Sequence, residues 1–203
     1  MNTFAEVPQS LDELLVAVRG CRACATQLPL GPRPVLQVDA SARILIVGQA
    51  PGARVHASGV PSDDRSGERL RDWMGIDVQR FYDESCVAIV PMGLCCPGRA
   101  ASGDLPPRRE WAPLWLDRLL AELPRVELTL LVGAYAQAHF LRAAGHTSVT
   151  VTATTRNWRT HQPRVIPLPH PSPRSVAWFK ANPWFIDEPL PVLQERVREL
   201  LGE

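Results

Sequence analysis

The chain has almost no lysine: of its 22 basic residues Lys180 is the one lysine, and the rest are arginine. It also has little net charge, +1, so the total neither requires nor excludes a polyanionic partner; a nearly neutral protein can still be basic on one face. No apolar run approaches the ~20 residues that cross a bilayer, so no membrane partner is expected. The opening "MNTFAEVPQSLDELL" lacks the early basic cluster of a signal peptide, which makes the cytoplasm the expected location. Five cysteines, an odd number, argue against a disulfide framework. Repeats and low-complexity tracts are missing, and so are both common phosphate-binding spellings, G-x-x-x-x-G-K-[ST] and G-x-G-x-x-G.

What remains is 203 residues, 45% of them hydrophobic, enough for one domain with a sizeable core. The 20 prolines point to short, rigid connections. In "SLDELLVAVRGC", Ser10 is a plausible N-cap, Glu13 completes a capping box, and Leu11, Leu14, Leu15 and Val18 share one face. "RILIVG" at 43–48, "CVAIVPMG" at 86–93, "ELTLLVG" at 127–133 and "RVIPLPHP" at 164–171 read as buried strands. Between them, "SGERLRDWMG" reads as a helix closed by Gly75. "PPRREWAPLWLDRLLAELP" reads as another, with Trp111, Leu114, Trp115 and Leu119 along its inner stripe, and "AYAQAHFLRAAG" as a third. This alternation predicts a three-layer α/β/α sandwich around a central four-stranded, mostly parallel sheet. A single domain over 1–203 is expected, with an N-terminal helix and Cys-x-x-Cys segment at 8–35, a core at 41–185 and a C-terminal helix at 184–203.

Ligands in such folds usually bind in loops at the carboxyl ends of strands. Three loops stand out, at 48–65, 91–104 and 169–175. In "GQAPG" Gly48 ends a strand, Pro51 fixes a backbone angle and Gly52 permits close approach of another group. In "HPSPRS" His170 stands between prolines at a strand end, with Ser172, Arg174 and Ser175 beyond it. Amides and small side chains in such a turn suit a phosphodiester.

Taken together, "GQAPG" and "HPSPR" resemble the two signature motifs of the uracil-DNA glycosylase superfamily, in matching order and separation, over roughly residues 20 to 185. The first loop and the upstream C-x-x-C look closest to the iron–sulfur (family 4-like) bacterial and archaeal branch, whose first motif reads G-E-A-P-G. "HPSPRS" looks more like the single-strand-selective branch. The resemblance implies hydrolysis of the N-glycosidic bond of a deaminated pyrimidine extruded from DNA. It implies His170 as donor to a base carbonyl, Gln49 as the residue that places water, and Gly48, Ala50, Pro51 and Gly52 packed beside the base. Arg174 would fill the gap left in the duplex.

The pattern also departs from the family. Gln49 replaces an acid and cannot act as a base; Asp63 and His56, further along the loop, are the candidates to supply one, and Asp64 reads as solvated polarity. Ser62 stands where an aromatic usually stacks, and Pro91 near where an asparagine usually reads the base; Asn157 and "MGLCC" are open substitutes. A four-iron cluster takes four thiolates: Cys21, Cys24 and Cys95 match three, and Trp111 stands at the fourth position. Cys96 and Cys86 are poorly placed, so a completed cluster, another metal and no metal all stay open. Trp158, among Arg156, Arg159 and His161, is open to contact with DNA. The leading expectation is a monofunctional DNA glycosylase acting on damaged DNA in base excision repair, with no obligate protein partner. Its rivals are a non-catalytic binder of nucleobases or single-stranded nucleic acid, and a small-molecule nucleoside hydrolase.

Overall fold

The computed structural model describes residues 10–101, 103–108, 110–145 and 150–202. Its frame is a four-stranded sheet built from β1 (Ile44–Val47), β2 (Val87–Ile89), β5 (Leu128–Val132) and β6 (Val165–Leu168), in the order β2-β1-β5-β6 and parallel throughout. A separate antiparallel hairpin pairs β3 (Arg99–Ala100) with β4 (Gly103–Asp104). The helices are α1 (Leu11–Arg19), α2 (Ala53–Ser58), α3 (Arg65–Met74), α4 (Val78–Phe81), α5 (Asp117–Ala121), α6 (Ala134–Ala143), α7 (Val151–Arg156), α8 (Val176–Ala181), α9 (Trp184–Asp187) and α10 (Pro189–Leu201). The expected α/β sandwich is the fold observed.

Strand alternation divides the core. Ile44 and Ile46 of β1, with Leu128, Leu130 and Ile166, pack against Leu70, Trp73 and Met74 of α3, Phe185 of α9 and Leu193 and Val197 of α10. Leu45 and Val47 face the other way, onto Leu14, Leu15 and Val18 of α1, Leu119 of α5 and Ala136 of α6. Each such side chain contributes about 1.5–3 kcal/mol when fully buried. Ser10 caps α1 as expected, its Oγ accepting from the Glu13 amide. Gly75 closes α3 in the left-handed region at φ +68°.

Three details differ from the sequence reading. The segment before α5 winds as a π-type turn over Ala112–Leu116, and such a turn shifts the helical phase. Ala112, Leu116 and Leu119 therefore face the core, and Leu114 turns outward at 36% exposure. The C-terminal helix is two helices, broken between Asp187 and Pro189. Trp158 is 2% exposed, with the Arg159 guanidinium 4.4 Å from its ring centre. Arg156 and Arg159 both pair with Glu188 at 3.1 Å. That cluster fastens α7 to the start of α10, and Trp158 has no face left for DNA.

The phase shift predicts unequal costs. Leu116→Ala lowers stability by about 2–5 kcal/mol, and Leu114→Ala by at most about 1 kcal/mol, read from urea unfolding midpoints. Equal losses would contradict the turn.

Candidate active site

The chain runs from β1 to β2 on one side and later crosses to β5 and β6 on the other, so the direction in which strands are added reverses between β1 and β5. Crevices form at the carboxyl ends of strands where this happens. A cleft of about 630 Å³ lies there, lined by the first loop (Gly48, Gln49, Ala50, Pro51 and Gly52), by the turn 170–175, by the start of α3 and by the end of the β3–β4 hairpin. The two signature loops therefore share one wall-to-wall site.

Local bonds explain the position of His170. The Leu168 carbonyl, at the end of β6, accepts from the Gly133 amide at 2.9 Å and from Gln137 Nε2 of α6 at 2.8 Å. Arg69, on α3, donates to the carbonyls of Pro171 and Ser172 at 3.2 and 3.1 Å. Gly133 follows β5 at φ +84°, and a Cβ there would stand 3.3 Å from His170 Cδ2 and 3.4 Å from its Cβ. Glycine at 133 thus clears the space across which the imidazole approaches the first loop. Sequence reading missed Arg69 and Gln137; nothing in their helical spacing separates a clamp from a surface arginine or a core glutamine.

The ring's protonation follows from one bond. The Ser172 amide donates to His170 Nδ1 at 3.2 Å, and a nitrogen that accepts carries no proton. The neutral ring therefore carries its hydrogen on Nε2. Burial pushes the imidazole below its ordinary value; Asp64 and Asp104 pull it upward, and Arg174 adds a further downward push. The neutral form with an Nε2–H donor is the one the site favours.

The other expected residues divide. Ser172, Arg174 and Ser175 line the cleft with His170, and Ser172 Oγ accepts from the Arg174 amide. Gln49 is present, but its Nε2 donates to the Leu105 carbonyl at 3.0 Å. Asp63 stands outside the lining, 3.8 Å from Arg54. His56 is also outside it, half-buried on α2 with its Nδ1 enclosed and unpartnered. Asp64, read as solvated polarity, is instead the N-cap of α3, accepts from the Ser66 and Gly67 amides at 2.9 Å, and lines the cleft. Ser62 lines it with a left-handed backbone at φ +56°, and a Cβ on Gly67 would collide with its carbonyl. Pro91 is in the lining and Asn157 is not. Asp104 and the hairpin that carries it are a further wall.

The cysteines form a different place. Cys21, Cys24 and Cys95 border a small apolar pocket together with Trp111, Leu114 and Trp115. The Trp111 indole N–H donates to Cys24 Sγ at 3.2 Å, and the ring lies so close over Gly93 that a Cβ there would collide with it. The indole is thus aimed at the Cys24 thiol. Among the described residues no three His, Cys, Asp or Glu side chains are grouped to hold a metal ion. Three thiols and an indole supply one thiolate fewer than the four-cysteine set that usually holds a four-iron cluster.

The family model described as uracil DNA glycosylase superfamily matches residues 36–194. The match covers the sheet and both cleft loops and begins beyond Cys21 and Cys24.

The indole geometry has a spectroscopic consequence. After reconstitution with iron and sulfide, the wild-type chain is expected to show no thiolate-to-iron absorption in the visible, and Trp111→Cys, which completes four thiols, is expected to gain it. A brown wild-type protein would contradict the packing role of Trp111.

Proposed function

The chain belongs to the uracil DNA glycosylase superfamily, and from that premise we propose that its cleft hydrolyses the N-glycosidic bond of uracil, or of a related deaminated base, in DNA. The observation that carries the reading is the Ser172–His170 hydrogen bond, which leaves a neutral ring with a single Nε2–H donor in a cleft of nucleotide size. The shape of the first loop and the cysteine pattern support kinship with the iron–sulfur branch, with Trp111 packed among the thiols where that branch would hold a cluster.

A base inside a duplex is out of reach, so it leaves the stack at a cost of a few kcal/mol. Ser172 and Ser175 contact the sugar-phosphate, and Arg54, Arg65 and Arg174, which all border the cleft, favour a polyanion there. As the carbon–nitrogen bond lengthens, negative charge gathers on the departing base and positive charge on the sugar. The Nε2–H of His170 meets the negative charge at a base carbonyl oxygen. A donor fixed beforehand does this without reorganisation, which makes such groups among the largest contributors to rate. Desolvation favours the neutral ring, and a neutral ring leaves the positive charge of the sugar unopposed by an imidazolium.

One observation favours a second reading, a non-catalytic nucleobase or single-strand binder: the first loop offers an amide, Gln49, where the iron–sulfur branch has an acid. Excision assays separate the two. With oligonucleotides carrying one uracil, the wild type is expected to yield alkali-labile abasic sites, and His170→Ala to slow excision by roughly 10²–10³-fold with binding retained. Binding without cleavage by the wild type establishes the second reading, and turnover of free nucleosides without DNA binding establishes a nucleoside hydrolase.

The depressed basicity of His170 gives a pH signature. A ring that protonates only below the ordinary imidazole value of about 6.5 stays neutral as pH falls through that value, so the excision rate stays level there and declines at lower pH, where an imidazolium opposes the positive charge of the sugar. A rate already halved at about pH 6.5 would contradict the burial of the ring.

A further inference from the structure

Hydrolysis needs a group that takes a proton from the attacking water, and neither a neutral imidazole protonated on Nε2 nor an amide serves. Three aspartates stand at or near the cleft, and their bonds distinguish them. Asp63 is outside the lining and pairs with Arg54. Asp64 lines the cleft, but its Oδ1 accepts from two backbone N–H donors and so caps the start of α3. Asp104 closes β4, lines the cleft and reaches toward the first loop. Its Oδ2 lies 3.8 Å from where a Cβ on Gly52 would stand. Its ion pair with Arg99 is long, 3.8 Å, between two exposed groups.

The hairpin that carries Asp104 is held on both sides. Gln49 Nε2 donates to the carbonyl of Leu105, the next residue in the chain. On the other side Arg174 lies against Gly103, so close that a Cβ on Gly103 would collide with its guanidinium. The glutamine of the first loop and the arginine of the histidine turn thus grip the residues flanking Asp104. The charge of Asp104 also reaches the imidazole, where it opposes the effect of burial.

We propose that Asp104 is the carboxylate that accepts the proton of the attacking water, and that Gln49 is a positioning residue that fixes Asp104 over the cleft by holding Leu105. The assignment rests on the glycosylase reading of the cleft. The bond from the sugar carbon to the base nitrogen breaks with its electron pair leaving on the base, whose carbonyl oxygen takes the hydrogen bond from His170. The water oxygen forms the new bond to the sugar carbon, and its proton passes to Asp104. The carboxyl group then returns that proton to solvent, and the base anion takes one up. One water is added across the bond, and nothing is oxidised or reduced. The carboxylate also faces the positive charge that develops on the sugar, so a single group answers both needs.

The test compares wild type, Asp104→Asn, Asp104→Glu, Gln49→Ala and Asp104→Asn/Gln49→Ala on one uracil oligonucleotide, by single-turnover excision and by binding anisotropy. Asp104→Asn is expected to slow excision by roughly 10²-fold or more with affinity nearly unchanged, and Asp104→Glu to recover part of the rate. Gln49→Ala is expected to slow the wild type but to add little to Asp104→Asn, because both act on one step; a merely structural Gln49 would slow both backgrounds equally. Asp104→Asn at the wild-type rate, or one whose loss lies wholly in affinity, would overturn the assignment while leaving the glycosylase reading intact. A wild type that releases no base overturns both.

Discussion

The site depends on a constraint at the end of β5. That strand lies between β1 and β6 in the sheet, so the loops that follow its two neighbours must meet across its carboxyl end. Gly133 follows β5 with a left-handed backbone and no side chain, and the His170 ring occupies the space beside it. An L-residue there faces a strained φ and brings its Cβ within 3.3 Å of the imidazole. Parallel order, an abrupt strand end and one glycine together turn two distant loops into one pocket. The hydrogen bonds to Leu168, Pro171 and Ser172 then set where the ring stands.

Charge is arranged around that ring in layers. Burial drives it toward neutrality, while Asp64 and Asp104 limit how far. Arginines and carboxylates line the same cleft. This suits a reaction in which the substrate arrives as a polyanion and the reacting sugar becomes transiently positive. The hairpin ties the layers together, since it touches the first loop through Gln49 and the histidine turn through Arg174.

Much of this was legible in the sequence, for stateable reasons. The four strands are continuous apolar runs, α1 carries its own cap, and glycine closes α3, so local chemistry and global fold agree there. The two loops were recognisable because glycine, proline and histidine are informative at strand ends. The hairpin was not: β3 and β4 are two residues each, too short for any periodicity to register. Asp63 and Asp64 are adjacent in sequence, and only the helix start decides which one turns its carboxylate to the Ser66 and Gly67 amides and stands in the cleft. The stripe of α5 slipped because a π-type turn changes the period. Trp158 and its arginines looked like a nucleic-acid surface because nothing local reveals that Glu188, some thirty residues away, occupies both guanidinium groups.

The neutral, Nε2-protonated state of His170 in a cleft that receives a base is open to direct observation. Nitrogen-15 NMR of the histidine side chains near neutral pH, assigned with a His170→Gln variant, reads the tautomer before and after a uracil-containing oligonucleotide is added. The expected spectrum shows Nδ1 bare and Nε2 protonated, with the Nε2–H signal moving downfield as the oligonucleotide binds. A ring protonated on Nδ1 or on both nitrogens, or an Nε2–H signal that ignores the oligonucleotide, would contradict the pocket described here.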